Sequence, residues 1–169
     1  DPILESVTAS GSDGMLVMVS NPSDVLAWFA WKRTGLPSRQ VAGAGTALDT
    51  ARMKTLTAER ARLDPRTVAG YVIGEHGDSQ SVPWPTARIA GKPFARYLSG
   101  NATECPDVTL DGIEEAARRR GMEIRALKGG TNHGIAATVA AIVRTVLRDG
   151  RRVMRGVHAH RRTVFARRA

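Results

Sequence analysis

At 169 residues the chain is long enough for one compact domain, or one and a half, and too short for a two-domain enzyme. Its 42% hydrophobic and 24% charged residues are ordinary for a globular protein and exclude both disorder and a fibrous repeat. The single Cys105 excludes an intramolecular disulfide, a CxxC zinc site and an iron-sulfur cluster; no metal site is expected, and a reducing, cytoplasmic setting is. The net charge of +9 is concentrated at one end: residues 144–169 hold nine arginines against the single acid Asp149, and the remaining 143 residues stand at +1. A basic body is thereby excluded, although a basic end that could bind nucleic acid is not.

The first apolar run, Met15 to Val19, lies between Gly11-Ser-Asp-Gly14 and Ser20-Asn-Pro22, which predicts a short strand buried on both faces, of the kind found in parallel sheets. Ser23 or Asp24 then caps a helix through Lys32, with Val25, Leu26, Phe29 and Ala30 as its apolar stripe and Gly35 and Pro37 ending it. Val41 to Gly45 is small and glycine-rich. Thr46 or Asp49 opens a second helix to about Leu63, which Asp64-Pro65 stops. Val68 to Ile73 reads as the next strand and runs into the loop Gly74-Glu-His-Gly-Asp-Ser79. With four prolines, residues 80–110 read as irregular, apart from a short strand around Ala87 to Ile89. Gly112 to Leu127 suits an amphipathic helix broken or bent near Gly121, and Asn132 to Leu147 a second, mostly buried one. The longest apolar run, Ile135 to Val143, is too short to span a membrane, and apolar periodicity stops after Gly150.

Three residues in this layout combine into chemistry. Asp49 and Arg52 are three apart on a predicted helix and so share a face; alone they would be an ordinary surface ion pair. His76 sits in a flexible loop at the end of a predicted buried strand, where open α/β sheets place ligands. A carboxylate can fix the tautomer of an imidazole and leave its other nitrogen to move a proton, while an arginine fork can hold a carboxylate substrate. Asn21, in the bend after the first strand, adds a neutral donor, or is simply a turn-forming residue before proline.

The segments Val19-Ser-Asn-Pro-Ser-Asp24, Gly45-Thr-Ala-Leu-Asp-Thr-Ala-Arg52, Tyr71-Val-Ile-Gly-Glu-His-Gly-Asp-Ser-Gln80 and Lys128-Gly-Gly-Thr-Asn-His-Gly-Ile135 occur here in one order. With them the chain resembles the NAD-dependent L-lactate dehydrogenases of the lactate/malate dehydrogenase superfamily, from about Met15 to about Met154. The resemblance implies an α/β fold: an α+β substrate domain over residues 44–150, attached to the last strand-helix of a Rossmann-type nucleotide-binding domain over residues 1–43, incomplete at both ends. It implies that His76 is the proton donor and acceptor, oriented by Asp49, and that Arg52 grips the substrate carboxylate. Asn21, Asp24 and Thr131 are implied on the substrate side, and Val19, Ser20, Asn21 and Ala44 near the cofactor, NAD. The implied reaction interconverts L-lactate and pyruvate, a 2-hydroxy and a 2-oxo acid, in a homo-oligomer, dimer or tetramer. Glu75 favours the lactate over the malate branch, with malate or another 2-hydroxyacid as the alternative substrate.

Several positions depart from the family pattern. The G-x-G-x-x-G fingerprint is absent, as is the loop arginine that polarises the substrate carbonyl, so the isolated chain is expected to be inactive. Fructose 1,6-bisphosphate-activated relatives carry Arg and His where this chain has Lys54 and Ala69, which predicts little or no such activation. Residues 151–169 do not resemble the family and are expected to be disordered or to come from a shifted reading frame in a GC-rich gene, against a genuine basic tail. The reading from a different class is a nucleic-acid-binding protein using residues 144–169; a near-neutral body and a tail with Phe165 as its one aromatic argue against it. A third is a non-catalytic fragment that survives only by packing on a full-length subunit.

Overall fold

The computed structural model describes residues 1–106, 108–154 and 156–158, with the side chains of 157 and 158 excepted. In chain order the elements are α1 (Pro2–Ala9), β1 (Leu16–Met18), α2 (Ser23–Thr34), β2 (Val41–Gly43), α3 (Ala47–Ala61), β3 (Val68–Ala69), β4 (Arg88–Ile89), β5 (Lys92–Pro93), α4 (Phe94–Gly100), α5 (Leu110–Lys128), α6 (His133–Leu147) and β6 (Val157–His158). The fold class is α/β. The chain divides into two compact units, one comprising Asp1–Gly45 with the residues from Ile135 onward, the other Thr46–Gly134.

In the first unit, β1 and β2 pair in parallel, Leu16 opposite Val41 and Met18 opposite Gly43, with α2 as the crossover between them. The three-residue β2 escapes the sequence pattern because two of its residues, Ala42 and Gly43, carry no strand signal. β1 is half-buried rather than buried on both faces, because it is at the edge of the order β1-β2-β6 and, among the described residues, pairs with β2 alone. α2 begins without a side-chain cap, so neither Ser23 nor Asp24 plays that part; Gly35, in the left-handed region at φ 68°, ends it. Unforeseen in the sequence, α1 is started by Asp1, whose carboxylate accepts from the Ile3 amide, with Pro2 in the first turn. Leu4, Ala30 and Val41 form the buried cluster of this unit, with Leu16, Met18, Trp31 and Leu36 against it.

The helix α6 lies in the first unit apart from its first two residues, and it corrects an expectation. Only Thr138 and Ile142 are buried, while Leu147 is 80% exposed, so an Ala- and Val-rich stripe faces solvent instead of a core. Farther on, β6 pairs antiparallel with β2, Gly43 opposite Val157. Of the stretch 151–169 that reads as a tail, residues 155 and 159–169 lie outside the described residues.

The second unit is built around α3 and α5. Met53, Val72, Ile89, Phe94 and Ile113 are buried together, and the Trp84 ring meets Phe94 at 4.7 Å between centroids, tilted by 56°. Each fully buried large side chain of this kind contributes about 1.5–3 kcal/mol. The strand expected over 68–73 is only β3, which pairs antiparallel with β4, followed by an isolated bridge between Ile73 and Ser81. Beyond β4 the chain turns at Ala90 and Gly91, both at positive φ, into β5. α4 occupies part of the stretch that reads as irregular. α5 runs unbroken through Gly121, so the break expected there is absent. Its N-terminus is capped by Thr109, whose hydroxyl accepts from the Gly112 amide at 3.1 Å.

Candidate active site

The second unit brings together His76, Asp49 and Arg52. Asp49 sits in the first turn of α3, where the helix dipole favours a negative charge. Its side chain is 2% exposed, and its two oxygens have different partners: Arg52 Nη1 donates to Oδ1 at 3.1 Å, and His76 Nδ1 lies 2.5 Å from Oδ2. An ionised carboxylate only accepts, so Nδ1 carries the hydrogen in this pair, and Nε2 is the ring nitrogen that can exchange a proton. His76 is 28% exposed, enough for a ligand to reach it. Arg52 makes no other hydrogen bond among the described residues, so the rest of its donor fork can serve an anion.

The loop that carries His76 is closed at its neck. Ile73 and Ser81 exchange both backbone hydrogen bonds, at 2.8 and 3.0 Å, and the Gln80 amide donates to the Gly77 carbonyl. Gly74 turns the chain at φ 93°, where a Cβ would come 3.2 Å from the Ser79 carbonyl oxygen, so the turn requires glycine. Downstream, α5 holds the exit: Glu114 accepts from the Val82 amide and from Trp84 Nε1, both at 3.2 Å, and Arg118 donates to the Gln80 carbonyl. Glu114 and Arg118 read in the sequence only as members of a charged helix; four-residue spacing of opposite charges is their one signal, and it does not say what they bind.

Other expected site residues fall elsewhere. Thr131 is exposed in the stretch before α6 and makes no hydrogen bond to His76, Asp49 or Arg52. In the first unit, Val19, Ser20 and Asn21 follow the carboxyl end of β1 and are exposed, and neither the Ser20 nor the Asn21 side chain makes a hydrogen bond among the described residues. Asp24 is in the first turn of α2. Ala44 is buried, and its amide donates to the Met18 carbonyl at 2.9 Å. Lys54 lies over the Tyr71 ring, 5.5 Å from its centre.

Residues 46–162 match the model of the lactate/malate dehydrogenase alpha/beta C-terminal domain. The chain belongs to the lactate/malate dehydrogenase family. Its relatives include L-lactate dehydrogenase 1 of Bifidobacterium longum subsp. longum, 58% identical over 90% of this chain and 48% of that protein. L-lactate dehydrogenase 3 of Bacillus cereus is 38% identical over 91% of the chain and 49% of its own length. The minor L-lactate dehydrogenase of Enterococcus mundtii, solved in a ligands-bound form, superposes with a TM-score of 0.88 at 32% identity, covering 98% of this chain and 54% of that one. The chain thus spans about half the length of the relatives it matches.

Proposed function

We propose that the protein containing this chain is an NAD-dependent L-lactate dehydrogenase, an oxidoreductase that interconverts L-lactate and pyruvate. The observation that carries this reading is the Asp49 carboxylate shared between His76 Nδ1 and Arg52 Nη1. In the oxidative direction His76 Nε2 takes the proton of the C2 hydroxyl while hydride leaves C2, and Asp49 stabilises the imidazolium that forms. In the reductive direction the same nitrogen returns the proton. Arg52 holds the substrate carboxylate through its unused donors, and Thr131 and Asp24 are assigned to the substrate side.

When bound, NAD supplies the hydride acceptor and donor at its nicotinamide ring. The exposed Ser20 and Asn21 side chains at the end of a parallel strand fit the polar edge of such a ring, and with Val19 and Ala44 they would hold that end of the cofactor. No G-x-G-x-x-G segment is present to hold the pyrophosphate, so these residues fit the nicotinamide end alone.

The test is steady-state kinetics of the purified protein with L-lactate and NAD, and with pyruvate against oxaloacetate in reverse. Turnover of pyruvate over oxaloacetate is expected. Arg52→Lys, which gives up the planar fork, should raise KM for pyruvate about 10- to 100-fold. A His76→Gln variant that keeps its kcat would refute the proton-transfer role.

A further inference from the structure

Asp49 stands between Thr46, which immediately precedes α3, and Thr50 on α3, and both reach the same residue in the segment between β3 and the His76 loop. Thr46 Oγ1 donates to the Val72 carbonyl at 2.7 Å, and the Val72 amide donates to Thr50 Oγ1 at 3.0 Å. All three residues are buried, Val72 at 1% exposure. Thr46 lies at the N-terminal end of α3, yet its hydroxyl does not cap the helix; it is turned to the Val72 carbonyl instead. The two hydroxyls therefore grip both hydrogen-bonding groups of one residue, from the helical turn that carries Asp49, four residues before His76.

We propose that Thr46 and Thr50 are positioning residues that set the contact between Asp49 and His76. Val72 follows the short β3 and precedes the bridge at Ile73, so no long ladder of strand hydrogen bonds fixes how far this segment slides along α3. The two threonine hydroxyls supply that register. A slip of the segment would carry His76 away from Asp49 Oδ2 while leaving Arg52, which is on α3 itself, in its pairing with Asp49. As far as it concerns turnover, this inference rests on the proposed dehydrogenase reading; the geometric part stands apart from it.

The test uses the purified protein and two readouts, the far-downfield proton resonance of His76 Nδ1–H and steady-state kinetics with L-lactate. Thr46→Val and Thr50→Val keep the shape and remove the hydroxyl. Each is expected to lose or broaden the resonance and lower kcat about 10- to 100-fold, with KM changed by less than about twofold. Thr46→Ser and Thr50→Ser, which restore the hydroxyl, are expected to keep both. Resonance and kcat like the parent's in the valine variants would overturn the proposal, even if those variants melt earlier. Should the valine variants fail to fold, the serine variants decide: loss of the resonance there would mean that the methyl groups, through packing, hold the register. Asp49→Asn separates the two levels. If it retains full kcat while the valine variants still lose the resonance, the dehydrogenase reading fails and the positioning role stands.

Discussion

At the scale of single residues, the site is a problem in keeping a buried charge satisfied. Asp49, at 2% exposure, has exchanged water for one guanidinium and one imidazole, and Arg52, at 11%, has Asp49 as its one hydrogen-bonded partner among the described residues. Removing one member of such a pair costs more than the pair itself contributes, because the other charge stays behind without water. Asp49→Ala is therefore expected to destabilise the fold by about 3–5 kcal/mol, read from urea denaturation, whereas Arg52→Met, which removes the charge and keeps much of the volume, leaves Asp49 with His76 and should cost less. Equal losses for the two would show that packing, rather than charge, governs the site. These three residues were legible in the sequence as a set, since an i, i+3 pair and a loop histidine carry recognisable chemistry. Thr46 and Thr50 were not: their role is defined by the Val72 peptide, 22 to 26 residues away, and no local pattern encodes that.

At the scale of elements, the long helices and the strand entering α2 were legible because their apolar spacing extends over several turns or is bounded by Gly and Pro. β2, β5 and β6 were missed because so short a segment shows no period, β3 was read too long over 68–73, and α6 was placed in a core because apolar composition cannot say whether a partner surface is present. The glycines of α5 show how far an element's energetics depend on what it touches. Replacing a helix-interior glycine with alanine ordinarily gains about 1 kcal/mol. At Gly121 the new Cβ would lie 3.3 Å from Arg52 Nη1, the end of a flexible side chain that can move by a few tenths of an ångström. At Gly112 it would lie 2.7 Å from Thr109 Oγ1, the atom that caps the helix, and a cap is itself worth about 1 kcal/mol. Gly121→Ala is expected to raise the melting temperature by about 2–4 °C and Gly112→Ala to lower it or leave it unchanged. A rise in both would mean that Thr109 can turn aside without losing its bond to the helix.

At the scale of the whole molecule, what distinguishes the chain is the apolar surface it leaves in water. In the first unit Val25, Trp28 and Phe29 of α2 are exposed, as are Val143, Val146 and Leu147 of α6, and in the second unit so are Met122 and Leu127 of α5. Single exposed apolar residues are normal; rows of them on successive turns of one helix are what interfaces or missing partners leave behind. The near-neutral body offers little charge repulsion to keep such surfaces apart. The 169-residue chain is therefore expected to self-associate at micromolar concentration, so that its sedimentation mass exceeds 18.2 kDa and rises with loading. The charge at the arginine-rich end would predict the opposite sensitivity to salt from the apolar surface: association through apolar faces persists or strengthens as salt is raised, whereas association through nucleic acid or acidic contaminants dissolves. Changing Val146 and Leu147 to lysine should lower the association without unfolding the chain, because neither is buried. A parent chain that stays monomeric across that range would mean that these helix faces are tolerated in water as they stand, and an association abolished by salt would move the explanation to residues 144–169.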